Sequence, residues 1–467
     1  MRTARNCKGK ELKARIKNMK NSRNKNIKSL FILGIILISG LVMSVRTTSA
    51  RGDSLKDPIV TYIKTDGLYF SYLNNGESVK AHEGEDFSVP IISKEGSYIA
   101  YTHGNDFYIF DIKNKKYQKV ADEILSYDWI DDTNIIYSTN ENGLKKLNME
   151  NMKTLNHDDE YYYSNLKASK NNLIYGKRIS KWTTEEGDFS FNTGIVEINL
   201  NEYDLRNKEF TTDIIIEGKK STDEIIGYDP TISNITEDGR YIYIMEKFSS
   251  ASLSADYAGI GIYDVDNRTH IDFTNIYGDE NEELIVLPYK NNLAINPKNN
   301  NLISVIIGQG REMIDNKEAI LLDINKNKTY RIFNFMDKDL VAMTPSFTVN
   351  GDKLLFSATK NIDISKEIDY NYAFKDWYNQ PHNIYEYDLE SSEIKKITKD
   401  DYFDFMPISI GEDTILFSRY KGDGHYSLMK LADGKEEIIA ENIIFENEGN
   451  LGFYGYIKIE KATDIFK

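Results

Sequence analysis

One pattern recurs along most of this chain and narrows sharply what it can fold into. A short apolar-rich strand ends in Asp or Asn followed by an apolar residue: Tyr-Ile-Phe-Asp-Ile at 108–112, Lys-Lys-Leu-Asn-Met at 145–149, Val-Glu-Ile-Asn-Leu at 196–200, Gly-Ile-Tyr-Asp-Val at 261–265, Ile-Leu-Leu-Asp-Ile at 320–324 and Tyr-Glu-Tyr-Asp-Leu at 385–389. Variants at 69–73 and 427–431 keep the apolar ending without the Asp. The eight closing residues, Leu73, Ile112, Met149, Leu200, Val265, Ile324, Leu389 and Leu431, are spaced 39, 37, 51, 65, 59, 65 and 42 residues apart. The shortest of these spacings is the length of one four-stranded unit, and the longer ones are that unit with insertions.

Ahead of the closing strand stands a polar turn and an aromatic-rich strand: Ser-Lys-Glu-Gly-Ser-Tyr-Ile-Ala-Tyr at 93–101, Thr-Glu-Asp-Gly-Arg-Tyr-Ile-Tyr-Ile at 236–244 and Thr-Val-Asn-Gly-Asp-Lys-Leu-Leu-Phe at 348–356. The Gly supplies the positive φ that a tight hairpin turn needs. With 32 Tyr and 21 Phe against 8 Pro, the composition favours pleated surfaces. The 3.6-residue apolar period of a helical solenoid is missing from residue 59 onward. One such sheet cannot cover both its faces, whereas several packed around an axis cover one another. The expected fold is all-β: a single β-propeller of eight blades, with seven or six as alternatives, over residues 59–467. The first unit starts at Ile59 without room for an innermost strand, so the segment 442–460 is expected to complete the first blade and close the ring.

The unit at 93–101 followed by 108–112 resembles the Ser-Pro-Asp-Gly-Lys-x-Ile-Ala-Phe … Ile-Tyr-x-x-Asp repeat of TolB-like propellers, which also builds the propeller of dipeptidyl-peptidase-IV-type enzymes. The likeness spans roughly residues 59–440, clearest in four units. It implies the propeller fold and a general protein-interaction role. The small domain that precedes the propeller in TolB is missing, and eight units exceed the six expected there, so TolB's own partners are not implied.

Residues 1–28 carry eleven Lys and Arg against Glu11, a net +10, which leaves −25 on the remainder of a chain whose total is −15. So acidic a body is a poor nucleic-acid binder, because neutralising phosphates takes clustered cations. The segment 29–45 is uncharged and apolar, and Thr-Ser-Ala at 48–50 follows it. Basic flank, apolar stretch and small-residue exit describe an export signal. The expected organisation is a cytoplasmic leader at 1–28, a transmembrane or signal helix at 29–45 and a linker at 46–58. The body is then exported: anchored to the membrane by that helix, or secreted if cleavage follows Ala50. The only cysteine, Cys7, lies in the leader, so the body has no disulfide or Cys-based metal site.

No catalytic motif stands out. The Gly-x-Ser-x-Gly elbow of an α/β-hydrolase is missing, as are both glycine-rich phosphate patterns. His82, His103, His157, His270, His382 and His425 are scattered without metal-ligand spacing, and the acidic clusters lack the alternation of a calcium loop. The expectation is a non-enzyme with no cofactor, no metal and no catalytic residue. Its extra length instead falls between the second and third strands of units four to seven, at 177–193, 247–259, 308–317 and 360–382. These connections emerge on one face of a propeller. Aromatics and Arg make effective interface anchors, so Trp182, Trp377, Tyr372, Tyr378, Phe248, Arg178 and Arg311 are the expected partner-binding residues, while Trp129 belongs to the core. The function expected is binding of a protein, peptide or envelope glycan on this long-loop face. The alternatives are a glycosidase or lyase working at the channel mouth, and a structural subunit of an envelope complex.

Overall fold

The Asp or Asn of the repeat closes the turn that follows it. A computed structural model describes residues 58–141, 143–184, 187–222, 226–248, 258–272, 293–308, 317–324, 330–334, 339–361, 380–399, 401–422, 425–444, 446–447, 459–460 and 465–466. In it Asp111, Asn148, Asp264 and Asp388 accept the backbone N–H three residues on, at 2.9, 3.1, 3.2 and 2.7 Å. This is the local bond by which Asp and Asn favour turns. The apolar residue that follows ties the two halves of the motif together. The N–H groups of Ile112, Met149, Val265, Ile324 and Leu389 each donate to a carbonyl in the turn ahead of the second strand. The glycines of those turns, Gly96, Gly239 and Gly351, have φ of 74°, 75° and 68°.

Each repeat unit folds as an antiparallel meander. Units two to seven form six separate four-stranded sheets in simple sequential order. Unit eight supplies Asp404–Ser409, Thr414–Gly422, His425–Ala432 and Lys435–Ile443, and unit one supplies Ile59–Lys64, Gly67–Tyr72 and Ser78–Glu83. These seven strands share one sheet. The only helical element among the described residues is a single 3-10 turn at Lys170–Asn172. The strand Asp404–Ser409, first in its unit, is wholly buried, whereas Lys116–Ala121, fourth in its unit, is mostly exposed. First strands therefore face the interior and fourth strands the solvent. Trp129 is fully buried and its indole N–H donates to Ile91 O (3.0 Å) across to the neighbouring unit.

Four first strands bulge after the same position, between Ser88 and Ile91, Ser164 and Lys167, Met343 and Ser346, and Phe405 and Ile408. Just inside each bulge lies a non-glycine residue in the left-handed region: Val89, Asn165, Thr344 and Met406, with φ between 49° and 54°. That conformation costs an L-residue about 1–2 kcal/mol. It is offset by bonds between units at the same level. Ser126 Oγ accepts the N–H of Leu166 (2.9 Å), Asn165 Oδ1 that of Ile232 (2.8 Å), and Thr344 Oγ1 that of Met406 (3.0 Å). The bulges of units four and eight thus turn a backbone donor towards the preceding unit.

The interior edge of Ile59–Lys64 is met by the chain's C-terminal part. Ile443 pairs with Lys64, and the N–H of Ile444 donates to Ile63 O (2.9 Å). At the other end Ile465 and Phe466 pair with Val60 and Ile59. Between these contacts, Glu446–Asn447 and Ile459–Glu460 pair only with each other among the described residues. The second contact lies just past the segment 442–460 to which the sequence assigned this position. The leader 1–28, the helix 29–45 and nearly all of the linker 46–58 lie outside the described residues. Among those described, no helix is long and apolar enough to cross a membrane.

Unit four departs from the repeat. Its third strand runs through Leu200 to Asp204, and the turn forms there instead, with Asp204 Oδ1 accepting the N–H of Arg206 (2.7 Å).

Candidate ligand-binding face

The first residues of each first strand lie opposite the last residues of the second: Phe87 opposite His103, Tyr162 opposite Ile179, Asp404 opposite Arg419. The entry from the preceding unit and the connection between second and third strands therefore share one end of every sheet. The insertions of units four to seven join second to third strands, and of the four only that of unit four is largely described. In unit four the insertion is a continuation of the hairpin rather than an irregular loop. Leu173–Thr184 and Gly187–Asp204 stay paired out to Thr184 opposite Gly187. The first strand stops accompanying them at Ile179 and the fourth at Gly194, so a two-stranded ribbon projects from the sheet. Trp182 lies on this ribbon opposite Phe189, and Phe248 lies in unit five opposite Tyr228. Trp377, Tyr372, Tyr378 and Arg311 lie outside the described residues.

Arg178, at the base of the ribbon, has the most informative surroundings. Its guanidinium lies 4.2 Å from the centroid of the Tyr161 ring, and its Nε donates to Thr193 Oγ1 (3.0 Å). Thr193 in turn donates to Arg178 O (3.0 Å). The side chain is half-buried. Among the described residues, no carboxylate forms an ion pair with it and its two terminal nitrogens make no hydrogen bond. Beside it Lys181 Nζ sits 3.6 Å from the Tyr162 ring centroid and donates to Asn140 Oδ1 (3.2 Å).

The carboxylate at this corner is already occupied. Asp159 accepts the N–H of Tyr161 and the hydroxyl of Tyr163, and His157 Nε2 is 3.3 Å away. His157 Nδ1 accepts the N–H of Phe210 (2.9 Å), which leaves the ring proton on Nε2, facing Asp159. Burial pushes the Asp159 carboxyl up, but the bonds from His157, Tyr163 and the Tyr161 N–H outweigh it and hold it below the usual range. Burial and the adjacent Asp159 charge push the Tyr163 phenol up. On the other face of the strand the buried Lys177 is neutralised by Asp229 (2.6 Å), which also receives Asn192 Nδ2 (2.7 Å).

Counted from the first-strand bulge, Arg178 has an equivalent in unit eight. Ser164 and Phe405 are the last residues before the bulge, so Tyr163 matches Asp404, Tyr161 matches Tyr402, and Arg178 matches Arg419. Arg419 likewise lies over its tyrosine, 4.5 Å from the Tyr402 centroid. Its fork is filled, however: Nε and Nη2 reach the two oxygens of Asp404 at 2.7 and 2.9 Å, and Nη1 reaches Glu436 at 2.8 Å. Both members of the pair are buried. Burial pushes the Asp404 carboxyl up against the opposing pull of Arg419. Alongside, His382 packs on Phe403 at 4.1 Å between centroids, and burial pushes its imidazole down to about 4.

Of the residues expected from sequence, only Arg178 has a described side chain at this face. Tyr161, Tyr162, Lys181 and Thr193 were not anticipated. The run of three tyrosines at 161–163, placed immediately before a bulged first strand, is the signal that could have marked them. Among the described residues no cluster of His, Cys, Asp and Glu could hold a metal.

No family model and no curated protein matches the sequence. Among solved structures, dipeptidyl peptidase 4 of Porphyromonas gingivalis superposes with a TM-score of 0.51 at 9% identity, covering 81% of this chain and 57% of the peptidase. Dihydro-heme d1 dehydrogenase NirN, in complex with DHE, gives 0.50 at 10% identity, covering 86% of this chain and 75% of that one. A protein described as TolB from Agrobacterium tumefaciens is 10% identical with a TM-score of 0.35, covering 82% and 89%. The chain thus spans little more than half the length of the peptidase, and at these identities the likeness is one of fold. Repeat, sheet order and superposition agree that the chain has the fold of a β-propeller.

Proposed function

We propose that the protein is a non-catalytic, extracytoplasmic propeller of eight blades, closed by its C-terminal residues and held at the membrane through the segment 29–45. It binds a protein, peptide or envelope glycan on the face where second and third strands connect. The observation that carries this reading is the rim of blade four, where a two-stranded ribbon has at its base an arginine stacked on tyrosine and, among the described residues, without a counter-ion. Aromatic and Arg side chains at a half-buried rim are typical anchors for a partner. Asp159, Asp229 and Asp404, at the same end of the strands, are each held by internal bonds, which supports binding over a hydrolytic role at the mouth. The strongly acidic body beyond residue 28 supports the exclusion of nucleic acid.

The test is photocrosslinking in intact membranes, comparing wild type with the double variant Trp182→Ala/Trp377→Ala. Loss of the crosslinked partner is the expected result, and unchanged recovery would overturn the choice of face. Protease added outside intact cells is expected to degrade the propeller; a protected propeller would mean that it is not exported.

A further inference from the structure

We propose that Arg178 is an anion-receiving subsite of the looped face and that the group it receives is the C-terminal carboxylate of a peptide. The inference rests on the binding reading above and names the chemistry of its ligand.

The argument begins with the two equivalent arginines. The first strand of blade eight places Asp404 directly opposite Arg419, and the fork closes on it with two parallel bonds. The first strand of blade four places Tyr163 opposite Arg178. A phenol offers one oxygen in place of two, and Tyr163 spends its proton on Asp159. Asp159 could have taken over as counter-ion, but Tyr163, His157 and the Tyr161 N–H occupy it. Arg178 is nevertheless fixed in place by Tyr161 on one side and Thr193 Oγ1 at its Nε. A guanidinium anchored through Nε and stacked on a ring presents its two terminal nitrogens as a preformed fork for a carboxylate. Being half-buried, it is still open to solvent on one side.

Charge selects the ligand class. A polyanionic glycan would meet the field of a body carrying −25 and would be repelled along its whole length, whereas Arg178 attracts at one point. A peptide brings one terminal carboxylate on an otherwise neutral or basic chain, so attraction at the fork is not cancelled elsewhere. The terminal group also requires no particular sequence.

The test uses the full-length chain in detergent and three probes: a pool of random-sequence peptides with free C-termini, the same pool as C-terminal amides, and polygalacturonate. Wild type is expected to retain the free-acid pool about tenfold better than the amide pool. Arg178→Met should abolish that difference, and Arg178→Lys, which keeps charge and stem but loses the fork, should leave part of it. Equal retention of both pools, no retention of either, or an unchanged preference in Arg178→Met overturns the proposal. Arg178-dependent retention of polygalacturonate in preference to the peptides overturns the peptide assignment in favour of an acidic glycan. If Trp182→Ala/Trp377→Ala loses the crosslinked partner while Arg178→Met keeps the pool preference unchanged, the face stands and the subsite fails. If the double variant also keeps its partner, the reading of the face fails with it.

Discussion

Blades four and eight carry the same arginine on the same kind of tyrosine, yet only the one in blade eight is closed by carboxylates among the described residues. Arg419 is enclosed, its fork shared between Asp404 and Glu436, and it joins strands one, two and four of its blade. Arg178 has the same position relative to the bulge and the same ring beneath it but, among the described residues, no carboxylate. Across the ladder the difference is Asp404 in one blade and Tyr163 in the other, and blade eight adds Glu436 from its fourth strand. A repeat architecture can thus release an arginine from a structural ion pair by changing the residues that face it. Neither the backbone nor the arginine needs to change.

The largest expected effect separates the two arginines outright. Arg419→Met leaves Asp404 fully buried and unpaired, and breaking such a pair from one side costs about 3–5 kcal/mol. Arg178→Met removes an arginine that has no counter-ion among the described residues and should change stability by no more than about 1 kcal/mol. Urea unfolding of the two variants measures both. Equal losses would break the comparison.

Acid should act on the corner of blade eight through His382. Its imidazole is held to about 4 by burial, whereas in the unfolded chain it takes its proton near the ordinary 6.5. The unfolded state therefore binds more protons between those values. Stability is full above pH 6.5 and falls as pH drops towards 4. A drop to pH 5.5 should cost about 1 kcal/mol through this group. Urea midpoints at pH 7.5 and 5.5 are expected to lie closer together in His382→Phe than in wild type; an unchanged gap would mean that His382 is not held neutral.

The smallest effect concerns the rings. Removing a cation–π contact costs about 0.5–1 kcal/mol at partly exposed sites. Tyr402→Leu should show it as a small fall in the urea midpoint. Tyr161→Leu should show instead a weaker preference of the chain for free-acid over amidated peptides, because there the ring holds a group that is still to be used. If both variants change only stability, Arg178 and Arg419 play the same part.

The repeat was legible because each of its letters has a local duty. Asp111 and Asp388 close their own turns, and Gly96 and Gly351 adopt the positive φ that their turns need. Such bonds span three or four residues and leave their trace in the sequence. Arg178 was legible as an arginine in an aromatic insertion. Its lack of a counter-ion was not, because that depends on which residue stands across the ladder. Register there is set by bulges at Val89, Asn165, Thr344 and Met406, none of which is the glycine that would announce a left-handed residue. The overshoot of unit four to Asp204 was hidden for a related reason, since Asn199 offers the same turn chemistry five residues earlier.

The pairing of Phe466 with Ile59 carries a consequence for how the molecule is made. The two residues are about four hundred positions apart, and closing a loop of that length costs only slowly growing entropy, so the finished molecule is little burdened by it. The timing is another matter. The strand Ile59–Lys64 cannot complete this edge until Ile443 and then Ile465 and Phe466 have been made, and folding limited by such distant pairings is slow. A nascent chain has one exposed strand edge for the whole of its synthesis. Without Ile465 and Phe466 the Ile59–Val60 part of that edge would stay open, so this pairing ends a vulnerable period for aggregation.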